Sequence, residues 1–342
     1  MENSSPKICI CGGGNIGHSL AAVLSEYAPV SVFTRKPDLW GDRLTYEKGE
    51  SCERHVCRHT LHATDDLADV SDADYVFVCL PRFAVSDLLA RIDSALHPGQ
   101  TVVFCPAPGG LDKIADGYSD RGIDTVGIQR VLHVSRIREY GHSVWIADVS
   151  RAVIRMAFSR PEISGFWLDF ISSRFGCKVG ALSSFLTFTF SSSNPLIHPS
   201  RLVELLKGGE CGVYRTCPYF YAEWTDESSE LYIKADEEML AVFKAYSEEA
   251  AEKDYESALV HYESTNAVEL TRKFRSITAL KPILAPWKLN DAGLWEPDFS
   301  SRYFTEDVPY GTRIIQDHAR RVGLPTPTID YLVDTITKAA GL

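Results

Sequence analysis

An open, mostly parallel α/β domain followed by an all-α domain is the fold class this sequence predicts, on three observations. A short apolar run, Lys7 to Cys11, leads into the glycine pattern Gly12-x-Gly14-x-x-Gly17 and then into helical periodicity. Further apolar runs of strand length, Tyr75 to Leu80 and Thr101 to Cys105, are separated by a helical stretch, as βαβ units require. From Ser183 the texture changes to a Ser/Thr/Phe run and then to helical patterns with charged faces. The 342 residues exceed the roughly 100 to 200 of an ordinary domain. Two domains are expected, over 1–182 and 183–342.

Lys7 to Cys11 reads as the first buried strand, Gly12 to Gly17 as a turn, and His18 to Glu26 as a helix that turns Leu20, Ala21, Val23 and Leu24 inward. Val30 to Phe33 is the second strand. In a Rossmann-type turn the first glycine permits the sharp bend, the second lets backbone approach a pyrophosphate, and the third packs helix on strand. Gly12, Gly14 and Gly17, with Asn15 and Ile16 between them, are therefore candidate dinucleotide contacts, and the helix N-terminus is the anion site.

Cofactor choice is read at the end of the second strand, where a carboxylate would hold the ribose hydroxyls of NAD. This chain has Thr34-Arg35-Lys36 instead. A hydroxyl and two cations suit a 2'-phosphate, and a guanidinium also stacks on adenine, so NADP(H) is preferred and NAD(H) stays open. A solvated basic turn is the other reading of the two cations.

Tyr75 to Leu80 reads as a fully buried parallel strand followed by Pro81, and Leu80 and Pro81 are assigned to the cofactor site. Ala84 to Ala95 is helical. The loop Pro106-Ala107-Pro108-Gly109-Gly110 leaves the C-terminal end of the next strand, where open sheets bind ligands, and is expected near the nicotinamide. Thr125–Ile128, Ser143–Ala147 and Ala152–Phe158 are strand candidates, and Pro161–Phe175 a helix.

Composition narrows the function. With 45% hydrophobic and 24% charged residues the chain reads as globular, and no apolar stretch reaches the roughly 20 residues of a membrane span. Met1 to Lys7 lacks a basic segment followed by an apolar run, so cytoplasmic residence is expected. The nine cysteines show no CxxC, and reduced thiols are expected. A net charge of -11 disfavours a nucleic-acid partner. Cys52, His55, Cys57, His59 and His62 are dense, yet their spacing misses the usual paired zinc units, and residues 56–62 alternate as one half-exposed strand would. No metal is expected.

In the second half, Asn194-Pro195-Leu196-Ile197-His198-Pro199 holds a histidine between prolines. A regular helix should not continue through it, so His198 is expected on a rigid turn at a helix entrance, a geometry suited to an acid or base. Histidine reaches both protonation states near neutrality. Glu227–Glu249 and Tyr255–Phe274 read as helices. The 285–300 segment, with Trp287 and Trp295, reads equally as a lid or as a stapled surface loop.

Asn194-Pro195-x-x-His198-Pro199 and Arg302-Tyr303-Phe304-Thr305-Glu306-Asp307-Val308-Pro309-Tyr310-Gly311, with Tyr219-Phe220-Tyr221 and the Gly323 to Asp330 tail, resemble the opine dehydrogenase family over both domains. The resemblance implies that His198 handles a proton while Asp307 accepts from its other ring nitrogen. It also implies that Arg302 holds a substrate carboxylate. Arg136 is a weaker candidate for the same work, with a surface role equally open, and Asn194 holds the loop or touches substrate. The implied reaction joins an amino acid to an α-keto acid, by default pyruvate, through an imine that NADPH reduces, in a cleft between the domains. Monomer and homodimer both occur in such a family. Two rivals stand beside it: a ketopantoate-reductase-like or 2-hydroxyacid dehydrogenase, typically lysine-dependent, and a non-catalytic NADPH sensor.

Overall fold

The computed structural model describes residues 5–50, 53–147 and 153–341. By its internal contacts the chain divides into two compact units after Phe185.

The first unit is built on an eight-stranded sheet. Its strands are β1 (Ile8–Cys11), β2 (Val30–Phe33), β5 (Leu61–Thr64), β6 (Tyr75–Val78), β7 (Thr101–Phe104), β8 (Asp124–Ile128), β11 (Ile154–Phe158) and β12 (Val179–Ala181). Their order is β12-β11-β8-β7-β6-β1-β2-β5, parallel except where β11 runs against β8. Successive strands of one direction need crossovers, and α1 (Asn15–Leu24), α2 (Leu67–Ser71), α3 (Arg82–Ile92) and α4 (Asp112–Ser119) supply them. With β2 on one side of β1 and β6 on the other, the strand order reverses at β1, which places the glycine turn at the switch point of the sheet. Buried on both faces, β1 and β7 are apolar throughout or nearly so, and Ile10, Phe77, Phe104 and Trp167 are fully inaccessible.

A smaller sheet of order β4-β3-β10-β9 adjoins it, from β3 (Thr45–Lys48), β4 (Glu53–Val56), β9 (Ser135–Glu139) and β10 (Ser143–Ile146). Its presence corrects the single strand expected over 56–62. The chain leaves β4 at Val56, turns with the Cys57 amide on the Leu44 carbonyl, and enters the other sheet at Leu61. The cysteine and histidine side chains therefore scatter. Cys57 is buried against the Ala22 carbonyl, His55 stacks on Tyr46, and His62 pairs with Asp69. Cys52 and Ala152 lie outside the described residues. The expected Pro161–Phe175 helix starts as a 3-10 turn over Pro161–Ile163 and becomes α5 (Ser164–Phe175), closed by Gly176 in the left-handed region.

The second unit is helical: α6 (Leu186–Phe190), α7 (Asn194–Lys207), α8 (Asp226–Tyr246), α9 (Glu248–Asp254), α10 (Ala258–His261), α11 (Ala267–Ser276), a ten-residue π-helix over Tyr303–Thr312, α12 (Arg313–Val322) and α13 (Pro327–Ala340). Two long helices expected from the sequence each break in two, because Ser247, Ser257 and Asn266 cap new N-termini with their side chains. Trp224, Phe243, Phe274 and Phe304 fill the core. The 285–300 segment is a ribbon of β13 (Trp287–Leu289) and β14 (Trp295–Pro297). Trp287 is buried with its indole N–H on the Gly212 carbonyl at 2.6 Å, and the backbones of Trp295 and Tyr214 exchange bonds of 2.7 and 2.9 Å. Among the described residues no helix is long and apolar enough to cross a membrane, and no cysteine is in a disulfide.

Candidate active site

Each unit carries one cluster of the residues singled out above. In the first, the chain leaves β1 at Gly12 with φ +130°, a conformation closed to most side chains. A Cβ on Gly12 would lie 2.8 Å from the Cys79 carbonyl, and one on Gly17 would lie 1.8 Å from the Gly12 carbonyl. Those two glycines let turn, helix and strand approach one another. Gly14 is different: nothing lies within 4 Å of the position its Cβ would take, so its backbone faces open space.

Helix α1 begins at Asn15, three residues before the expected start, with Gly14 as a cap that offers no side-chain acceptor and with no acidic residue in the first turn. Its first amides are therefore left to an anion, which is what a dinucleotide pyrophosphate supplies. The cradle fits that cofactor. Asn15 is anchored from the small sheet, its side-chain oxygen accepting from the Ile137 amide at 2.8 Å and its carbonyl from Ser135 at 2.9 Å.

His18, placed by the early start inside the helix, is fully buried. Its Nε2 accepts from the Gly141 amide at 2.8 Å, which leaves Nδ1 to donate to the Gly14 carbonyl at 3.0 Å, and burial pulls its pKa down to about 4. It is a structural strut of the turn.

At the end of β2, Thr34 is buried while Arg35 and Lys36 are exposed. Tyr140, from the loop between β9 and β10, reaches this point: its hydroxyl lies 3.4 Å from Thr34 Oγ1, and the Lys36 ammonium stands 5.8 Å from its ring centre. Sequence reasoning passed over Tyr140, because only the small sheet carries it to β2. Leu80 and Pro81 follow β6, with Pro81 as the cap of α3; a Cβ on Gly12 would come 3.1 Å from the Leu80 side chain.

In the second unit α7 continues through both prolines, which corrects the expected turn. Pro195 sits in the first helical turn, where no amide is needed, and Pro199 lies inside the helix. Pro199 has no amide for the Pro195 carbonyl, and Thr312 supplies the missing donor, its hydroxyl 2.5 Å from that oxygen. Gly311 permits this approach, since a Cβ there would come 2.6 Å from the Pro195 ring. His198 is thus a helix residue, 8% exposed, facing the π-helix.

Its Nδ1 lies 2.7 Å from Asp307 Oδ2 and its Nε2 3.2 Å from the Tyr221 hydroxyl. The Tyr303 ring lies along it at 4.2 Å and the Phe220 ring edge-on at 5.6 Å. Arg302 caps the same π-helix and pairs with Glu306, which raises its pKa further. Its side chain is 75% exposed. Asn194 is the exposed first residue of α7, four positions before His198. Arg136 belongs to the other unit, exposed on β9, with Nη1 on its neighbour's carbonyl at 2.8 Å. Tyr221 and Tyr303 were legible only as members of the two motif stretches; which way each ring points is a tertiary matter.

Residues 181–340 match the family model "NAD/NADP octopine/nopaline dehydrogenase, alpha-helical domain". Residues 7–112 match "NAD-dependent glycerol-3-phosphate dehydrogenase N-terminus". Tauropine dehydrogenase of Arabella iricolor is 23% identical over 98% of this chain and 91% of its own length. The helical unit is that of the opine dehydrogenase family, and this relative matches along nearly the whole chain. Opine dehydrogenases are NAD(P)-dependent oxidoreductases acting on CH–NH donors, and this one is such an enzyme. An octopine dehydrogenase structure with NADH and pyruvate shares its fold at a TM-score of 0.80, with 21% identity and coverage of 98% and 89% of the two chains. Yersinopine dehydrogenase with NADP+ bound does so at 0.70, with 13% identity and coverage of 99% and 91%.

Proposed function

We propose that this opine dehydrogenase is NADPH-dependent and joins the amino group of an amino acid to a small α-keto acid, pyruvate by default, reducing the imine to a secondary amine with two carboxylates. The observation that carries the reading is the 2.7 Å contact between His198 and Asp307, a buried imidazole backed by a carboxylate. Asp307 accepts from Nδ1–H, which keeps the neutral ring in the tautomer with a bare Nε2 and stabilises the ring when protonated. His198 then gives a proton as water leaves during condensation and handles the proton at nitrogen during reduction.

Arg302 is the carboxylate anchor. Its guanidinium has five N–H donors, so pairing with Glu306 leaves donors for a substrate carboxylate. Asn194 and Arg136 are secondary candidates for substrate contact. The dinucleotide supplies the hydride and is held by Gly12, Gly14, Asn15, Ile16 and Gly17, with Leu80 and Pro81 beside the turn. Arg35 and Lys36, with the Thr34 hydroxyl, meet the 2'-phosphate; that preference rests on two exposed cations where a carboxylate would serve NADH.

The test is a screen of NADPH and NADH oxidation that crosses amino acids, including D- and basic ones, with several keto acids. Oxidation that needs both partners, with NADPH favoured, is expected. Oxidation by a keto acid without any amine would instead identify direct carbonyl reduction.

A further inference from the structure

Both ring nitrogens of His198 are engaged inside its own unit. The carboxylate at Nδ1 can only accept, so the neutral ring carries its proton there and Nε2 is the nitrogen that gains and loses one. The group touching Nε2 is a phenol, Tyr221, at 3.2 Å. One ring face is covered by Tyr303 and an edge of Phe220 points at the ring, so a proton leaving Nε2 meets the Tyr221 oxygen first.

The position of Tyr221 is set independently of His198. Arg201, one helical turn further along α7 and 2% exposed, donates Nε to the Phe220 carbonyl at 3.2 Å and Nη1 to Glu204 at 2.8 Å. Glu204 also accepts from the hydroxyls of Thr225 and Ser228. A buried cation is tolerated only when fully partnered. Here its partnering ties the backbone beside Tyr221 to the helix that bears His198, and the Tyr221 ring stacks on Trp224 at 8° between planes. Burial, then the neighbouring Tyr303, Tyr262 and Asp307, push the Tyr221 pKa well above the usual phenol range. The hydroxyl therefore remains a neutral donor and acceptor at any working pH.

We infer that Tyr221 is a catalytic residue, the relay through which His198 exchanges its proton with the substrate. When imidazolium acts as acid, the Nε2–H bond breaks and that proton joins the Tyr221 oxygen, while the phenol's own proton passes to the substrate oxygen or nitrogen. His198 ends neutral, Tyr221 ends unchanged, and one proton has moved; the reverse sequence returns it. The opine reading defines the substrate atoms but not the relay.

A double-mutant cycle tests it. Tyr221→Phe, which removes one oxygen, should lower kcat at least tenfold while KM values and cofactor Kd stay within twofold. Tyr221→Phe combined with His198→Ala should be no more than twofold slower than His198→Ala alone, because the relay then has nothing to carry. A kcat within twofold of wild type for Tyr221→Phe, or multiplying effects in the double variant, overturns the proposal. A merely structural clamp would give multiplying losses. Independently of turnover, the 15N resonance of His198 Nε2 should shift in Tyr221→Phe, and an unmoved resonance also overturns it. Amine-independent turnover with the cycle intact would sink the opine reading alone; amine-dependent turnover with multiplying losses would sink the relay alone.

Discussion

The hydroxyl of Thr312 donates to the carbonyl of Pro195 at 2.5 Å, the oxygen that Pro199 leaves without a helical partner. One contact joins the helix that carries His198 to the π-helix that carries Asp307. A π-helix of ten residues is unusual, since most occur as single-turn bulges, often at functional sites. Its wide turn lets the Thr312 hydroxyl reach the Asp307 carbonyl, at 3.3 Å, as well. Thr312 is therefore one of the residues that hold the two helices in register for the His198–Asp307 pair.

Thr312→Val should leave the Pro195 carbonyl buried and unpaired, at a cost of about 1–3 kcal/mol. Pro199→Ala restores an amide to that carbonyl, so Thr312→Val combined with Pro199→Ala should melt higher than Thr312→Val alone. Thermal unfolding of the three variants checks this, and a double variant no better than the single would show that the carbonyl does not need the bond.

His198→Ala should lower kcat by about 10²- to 10⁴-fold, the range for a lost general acid or base. Cofactor Kd should be nearly unchanged, because no cofactor contact is assigned to α7. Asp307→Asn replaces an acceptor that fixes the ring tautomer by a group that can also donate, and should cost about 10²-fold or more in kcat. Steady-state kinetics beside a nicotinamide fluorescence titration separates the two quantities.

Arg302→Lys keeps the charge but loses the planar fork. The KM for a carboxylate substrate should rise about tenfold, or ~1.4 kcal/mol, with a smaller change in kcat. Saturation curves in keto acid and in amine show which carboxylate it holds; unaltered KM values for both would remove Arg302 from the pocket.

Arg35→Ala with Lys36→Ala should raise the Kd for NADPH at least tenfold, about 1.4 kcal/mol, and leave that for NADH within twofold, because only the former carries the 2'-phosphate. Added salt should weaken NADPH binding by wild type more than by the double variant. Equal losses for both cofactors would assign these cations elsewhere.

Two histidines make the first unit acid-sensitive. Burial lowers both His18 and His133 to about 4, and the His133 Nδ1 atom is buried without a hydrogen-bond partner. A folded-state pKa below the unfolded value of about 6.5 means that the unfolded chain binds protons first as pH falls. The stabilisation is complete above about pH 6.5 and is lost progressively down to about pH 4, by at most ~3 kcal/mol per histidine. Unfolding midpoints should fall over this interval, and less so in His133→Phe. A midpoint flat from pH 7 to 4 would contradict the assignment.

The residue string by itself determined the glycine turn with the buried strands around it and the motif residues of the helical half. Gly12, Gly14 and Gly17 are legible because each answers a local steric demand, and strands such as Val30–Phe33 because burial on both faces leaves an unbroken apolar run. His198, Asp307 and Arg302 were legible from two residue-dense stretches. What only the tertiary structure decided lies where distant segments meet. Local rules read the prolines around His198 as a helix stop, yet a hydroxyl more than a hundred positions away satisfies the carbonyl and the helix runs on. Residues 56–62 alternate as one strand would, yet the chain turns there to serve two sheets. Tyr140 carries no local signal, and Tyr221 and Tyr303 only their place in a motif, because an aromatic ring reads as core until packing shows which polar atom its hydroxyl or face meets.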